Sequence, residues 1–124
     1  MKVLFIEDEV KFQKTFAEFF SKEDLEVVSA YDGISGLRLA EEHLPDIIVL
    51  DLILPKKDGF QVLAEIKKNP LLQAIPVIIL TNLEGVEDIE KAVSLGASSY
   101  LVKANYSMSE ILNEIRKALI LKEN

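Results

Sequence analysis

The chain contains no cysteine. That excludes disulfides, thiolate nucleophiles and zinc–thiolate sites, and it fits a reducing compartment. It has one histidine, His43, too few for a histidine metal site and placed where such a residue faces solvent or a helix C-terminus. No apolar run approaches the ~20 residues a membrane helix needs. Basic residues are in the minority, 14 against 21 acidic ones, and the net charge of −7 argues against a nucleic-acid-binding surface. Linkers and low-complexity stretches are missing too. After Met1 the chain runs into Lys-Val-Leu-Phe-Ile, too short and too soon acidic for a signal peptide. A soluble cytoplasmic protein with no membrane contact is expected.

What is present is a chain of 124 residues, 49% hydrophobic and 28% charged, enough for one domain with its own core. Five short apolar runs alternate with five helical patterns. The predicted strands are Val3–Ile6, Leu25–Ala30, residues 46–51, Val77–Leu80 and Tyr100–Val102. Phe12, Phe16, Phe19 and Phe20 form one stripe at helical spacing, which reads as core packing. Ile34, Leu37, Ala40 and Leu44 mark a second helix, stopped by Pro45. Phe60, Leu63 and Ile66 mark a third, and Val86, Ile89 and Val93 a fourth that ends where Gly96 can turn left-handed. Ser107 and Glu110 fit a capping box opening a fifth helix, with Met108, Ile111, Leu112, Ile115 and Leu119 on one face and cations near its end. Strict alternation of strand and helix means an α/β fold, a doubly wound five-stranded parallel sheet expected in the order 2-1-3-4-5.

In such a sheet ligands bind beyond the carboxyl ends of the strands. The stretch Asp46–Gly59 shows why that matters here: four apolar residues, Ile47 to Leu50, stop at Asp51, expected to stand exposed at the strand tip. The other strands deliver Glu7 and Asp8, Thr81, and Lys103 to the same end. Each alone has a plainer reading, Asp8 and Thr81 as helix caps and Lys103 as a solvated side chain. Together, three carboxylates in one place repel and resist burial unless a cation compensates them. An ammonium and a hard divalent ion with oxygen ligands would do so, and Mg²⁺ suits one or two carboxylates plus a phosphoryl oxygen.

These motifs carry a resemblance. Glu7-Asp8, Asp51-x-x-x-Pro55-x-x-Asp58-Gly59, Thr81, Tyr100 and Lys103, in this order and spacing, make the chain similar to the receiver domain of bacterial two-component response regulators along essentially its whole length. The resemblance implies a single CheY-like receiver domain over residues 1–124 without an output domain. Asp51 would accept a phosphoryl group from a sensor histidine kinase or phosphotransfer protein, or from a small acyl or amido phosphate. Asp8, Asp51 and the Ile53 carbonyl would ligate Mg²⁺ (or Mn²⁺), with Glu7 acting mainly through a water. Lys103 would pair with the phosphoryl oxygens, Thr81 would turn its hydroxyl to them, and Tyr100 would follow. The face of the fourth helix, fifth strand and fifth helix would then signal to a downstream protein. The domain would not be an enzyme with a separate turnover substrate, and would be a monomer or weak dimer.

Some positions depart from the family. Ala104 replaces the usual proline, so a trans Lys103–Ala104 bond is expected, since cis before a non-proline costs roughly 2.5–4 kcal/mol. Asn105 stands where an aromatic is common. Asn82 is larger than usual and is expected to crowd Thr81 or Tyr100. Ser98-Ser99 replaces an acidic pair, which removes support for a salt-bridged dimer. Ile53 and Leu83 are both apolar, so slow self-dephosphorylation is expected.

Three rivals are weighed beside this reading. A haloacid-dehalogenase-like phosphatase needs a second acid two residues past Asp51, where Ile53 stands. A flavodoxin-like flavin binder needs a phosphate-binding loop after the first strand, where Glu7-Asp8-Glu9 would repel it. A receiver fold serving only as an interaction module, never phosphorylated, is disfavoured by the intact acid, hydroxyl and lysine set.

Overall fold

The apolar runs become five strands: β1 (Lys2–Ile6), β2 (Glu26–Ala30), β3 (Ile47–Leu50), β4 (Val77–Thr81) and β5 (Ser99–Val102). Between and after them lie α1 (Val10–Phe20), α2 (Gly33–His43), α3 (Gly59–Lys68), α4 (Val86–Ser94) and α5 (Met108–Glu123), with a 3₁₀ turn at Lys103–Asn105. The computed structural model describes residues 1–123. All strand pairings are parallel, in the order β2-β1-β3-β4-β5. The predicted strands shift only at their ends. Leu25 and Asp51 fall just outside the ladder because β1 runs out opposite them, Lys2 pairing with Glu26 and Ile6 with Leu50.

Strand side chains alternate between two faces. Leu4, Ile6, Ile48, Leu50, Val77 and Ile79 pack with residues of α2, α3 and α4, among them Ala40, Val62, Leu63, Ile66 and Ala92. Val3, Phe5, Ile47, Val49, Ile78 and Leu80 pack with α1 and α5, through Phe16, Phe20, Ile111 and Ile115. Helices therefore cover both faces, and every residue of β3 is fully buried. That is why its sequence is an unbroken apolar run. Full burial of one such side chain contributes roughly 1.5–3 kcal/mol. An acidic residue at Ile48 or Val49 would leave an uncompensated charge in this layer and break it.

The helix ends follow their capping chemistry. Asp32 accepts from the Ser35 amide at 2.7 Å and starts α2. Asp58 and Gln61 bond each other's backbone amides at the start of α3, and Ser107 and Glu110 do so at the start of α5. Gly96, with φ of 104°, turns the chain after α4 as predicted. At Gly59 a Cβ would come within 2.3 Å of the Asp51 carbonyl oxygen. The missing side chain lets α3 begin flush against the end of β3, and the Gly59 amide donates to the Leu52 carbonyl at 2.9 Å. Among the described residues no peptide bond is cis, Lys103–Ala104 included.

Candidate functional site

Strand register assembles the site. Ile6 pairs with Leu50, so the residues that follow, Glu7 and Asp51, leave the sheet as neighbours. The Asp51 amide donates to the Ile6 carbonyl at 3.0 Å and the Glu7 amide to the Ala30 carbonyl at 2.9 Å. On the other side Thr81 pairs with Val102, which sends Lys103 out beside them. The Lys103 ammonium closes the gap, donating to Glu7 Oε1 and, at 3.1 Å, to Asp51 Oδ2. Carboxylate oxygens of Glu7, Asp8 and Asp51 lie within 4.8 Å of one another.

Burial sets the electrostatics. Glu7 is 1% exposed and Asp51 4%. Desolvation pushes the Glu7 carboxyl up to about 7, against the opposing pull of Lys103 and the Glu9 amide. Burial also acts against the Lys103 ammonium, but its bonds and attraction to Glu7 and Asp51 outweigh that and hold it above the usual lysine range. The site is thus short of positive charge. One ammonium serves two buried carboxylates, and among the described residues no side chain pairs with the exposed Asp8. No side chain caps the start of α1, so Asp8 is not a helix cap.

One expectation needs correction. Asp51 is not exposed at a strand tip. The backbone at Leu52 and Gly59 packs against it and Lys103 reaches across it, while its Oδ1 accepts from the Ile53 amide at 3.2 Å. Asn82 stands exposed, lining a cleft of about 300 Å³ with Phe12, Lys103, Tyr106 and Ile111. Ile53 is 54% exposed at the rim of the site, and Leu83 is half-buried.

Thr81 is buried, and its Oγ1 accepts from the Leu83 amide at 3.4 Å. The Leu83 carbonyl in turn accepts from the Tyr100 hydroxyl at 2.7 Å. Burial, with Asp88 and Asp51 nearby, holds that phenol above its ordinary value. Thr81, Leu83 and Tyr100 therefore form one connected chain leading from the acid cluster towards β5.

Sequence reasoning missed Gln13. It sits in α1 among polar neighbours, yet it is 1% exposed. Its Nε2 donates to the carbonyls of Phe5, Glu7 and Ala30 at 2.9, 3.1 and 2.9 Å, tying the ends of β1 and β2 to α1 beneath the acid pair. The one readable signal was a polar residue following Phe12 in a helix otherwise rich in phenylalanine on its inner side.

A model of the response regulator receiver domain matches residues 3–116. The chain belongs to this family. Among relatives of this receiver domain, PilG of Pseudomonas aeruginosa is 34% identical over 94% of the chain and 85% of its own length. The protein ycf27 of Guillardia theta, described as a probable transcriptional regulator, is 37% identical over 95% of the chain. The receiver spans only 45% of that protein, and about half the length of several curated relatives it matches. A solved Mn²⁺-bound form of the response regulator Rcp1 is 30% identical with a TM-score of 0.78, covering 98% of this chain and 88% of that one. Among the described residues, no helix of the receiver is long and apolar enough to cross a membrane.

Proposed function

We propose that this receiver accepts a phosphoryl group on Asp51 in a reaction that requires a divalent cation. The observation that carries the reading is the Lys103 ammonium shared between buried Glu7 and Asp51, with the exposed Asp8 carboxylate within 4.8 Å. Buried carboxylates of like charge need compensation by an ammonium, a bound cation or a held proton, and a single ammonium leaves room for a second cation here. The donor set is all oxygen, which fits Mg²⁺ or Mn²⁺. Asp8 and Asp51 would hold the ion, with the Ile53 carbonyl and, through a water, Glu7. When bound, the ion neutralises charge on the phosphoryl oxygens. The Mn²⁺-bound form of Rcp1 supports this reading.

The chain's own residues do the rest. A carboxylate oxygen of Asp51 attacks phosphorus. The bond from phosphorus to the donor's imidazole nitrogen, or to the oxygen of an acyl phosphate, breaks, and the leaving group takes the electron pair. Lys103 shifts from carboxylate to phosphoryl oxygen, a charge-assisted bond that needs no covalent help from the protein. Thr81 turns its hydroxyl to the new group, and because Leu83 links it to Tyr100, the surface of α4, β5 and α5 is biased with it. Upstream the partner is a histidine kinase or phosphotransfer protein; downstream it is a protein that reads this face. The domain assists its own phosphorylation and dephosphorylation and turns over no other substrate.

Acetyl phosphate with Mg²⁺ should add one phosphoryl mass to the protein, and Asp51→Asn or removal of Mg²⁺ with EDTA should abolish the gain. A parent protein that gains no mass and shows no spectral change with beryllofluoride would instead be an interaction module.

A further inference from the structure

Five of the six phenylalanines, Phe5, Phe12, Phe16, Phe19 and Phe20, stand in one connected set. Phe16 and Phe20 are fully buried and stack 4.1 Å apart, and Phe5 lies 4.1 Å from Phe16. Core packing explains these three. Phe12 is different. It is half-buried at the site end of α1 and meets Phe5 edge-on, at 5.7 Å and 82°. Its face carries the Lys103 ammonium, 4.9 Å from the ring centroid.

We propose that Phe12 is a positioning residue for Lys103, holding the ammonium over Asp51 through a cation–π contact. The proposal rests on Lys103 acting in phosphoryl transfer as described above. Lysine is a point charge on a flexible four-carbon stem, and a stem left free spends much of its time elsewhere. Here two of its donor directions are taken by Glu7 and Asp51, and the ring supports it from another side. The side chain is only 12% exposed, and the attraction of a cation to a ring face grows as water is excluded. Two contacts hold the ring in place. Phe5 blocks its edge, and the next residue, Gln13, fastens this turn of α1 to the carbonyls of Phe5 and Glu7. A ring face also imposes no bond direction. It can hold the ammonium while Lys103 exchanges a carboxylate oxygen for a phosphoryl oxygen, which a hydrogen-bonding neighbour could not do without breaking. A leucine of similar bulk would pack on Phe5 but offer no negative face.

The test keeps the size of the ring and changes its charge. Position 12 is loaded with 4-fluoro-, 3,5-difluoro- and 3,4,5-trifluorophenylalanine, and Phe12→Leu and Phe12→Tyr are made alongside. Three quantities are read: the second-order rate of phosphorylation by acetyl phosphate with Mg²⁺, the thermal midpoint, and the NMR shift of the Lys103 Hε protons. The rate should fall with each fluorine, to about fivefold below the parent at the last step, while the midpoint holds. Phe12→Leu should match that loss and move the Hε protons downfield, out of the ring current; Phe12→Tyr should keep both rate and shift. A rate indifferent to fluorine, or Hε protons unmoved in Phe12→Leu, overturns the positioning role. Failure of the proposed function looks different: no protein in the series, the parent included, gains a phosphoryl group, though the Hε shift persists, and the positioning role falls with it.

Discussion

At the scale of single residues, Glu7 is the most sensitive group in the molecule. Its carboxyl has a pKa of about 7 in the folded chain against an ordinary 4.5. The folded state therefore binds this proton more tightly than the unfolded state does. The associated stability is complete below the unfolded value and is lost as pH rises through about 7. Glu7→Gln retains the shape without the charge. Relative to the parent it should gain on the order of 2–3 kcal/mol between about pH 5 and about pH 8. Urea unfolding in EDTA at both pH values checks this, and parallel stability curves would refute it. The two apolar residues beside Asp51 give a second expectation under the proposed function. Ile53 stands exposed at the rim and Leu83 is half-buried, so neither orients a water towards phosphorus. The double change Ile53→Asn with Leu83→Glu should shorten the lifetime of phosphorylated Asp51 about tenfold or more, read by loss of the phosphoryl mass with time; an unaltered decay would count against the idea.

Among the elements, the join of β1, β2 and α1 depends on one amide. Gln13→Met would remove the side-chain donor shared by the Phe5, Glu7 and Ala30 carbonyls in a dry place, although Ala30 keeps the Glu7 amide. The expected loss is about 1–3 kcal/mol in chemical unfolding, with weaker Mg²⁺ binding because the Glu7 carbonyl is one of the three. A loss below about 0.5 kcal/mol would show that the amide is not needed. Gln13 also marks where sequence reading stops. The strands, their order and the helix at Ser107–Glu110 were legible because apolar period and capping chemistry are local. The convergence of Glu7, Asp51, Thr81 and Lys103 was legible because a parallel sheet sends all its carboxyl ends one way. Burial of Asp51 was not, since it depends on Gly59 bringing α3 against the strand end and on Lys103, 52 residues away, reaching back. Nor was the place of Asn82, which depends on how α1 and α5 frame a cleft rather than on its neighbours in the chain. The second role of Phe12 escaped for the same reason: its helical spacing is identical to that of Phe16.

For the molecule as a whole, a ligand that binds only the folded site stabilises every part of the fold. Beryllofluoride with Mg²⁺ at about a hundred times its dissociation constant should add about 2.7 kcal/mol, which for a domain of this size corresponds to a rise of roughly 10 °C in the melting midpoint. Calorimetry of the parent and of Asp51→Asn makes the comparison, and an equal rise in both would mean that the mimic binds elsewhere. The ammonium that neutralises Glu7 arrives 96 residues later in the chain. A chain still being synthesised holds Glu7 and Asp51 long before that lysine exists, and a chain nicked between Asp51 and Lys103 cannot keep the two together once it opens. Under the function proposed above, only finished, intact copies would carry the mark, and the chemistry would double as an inspection of the messenger.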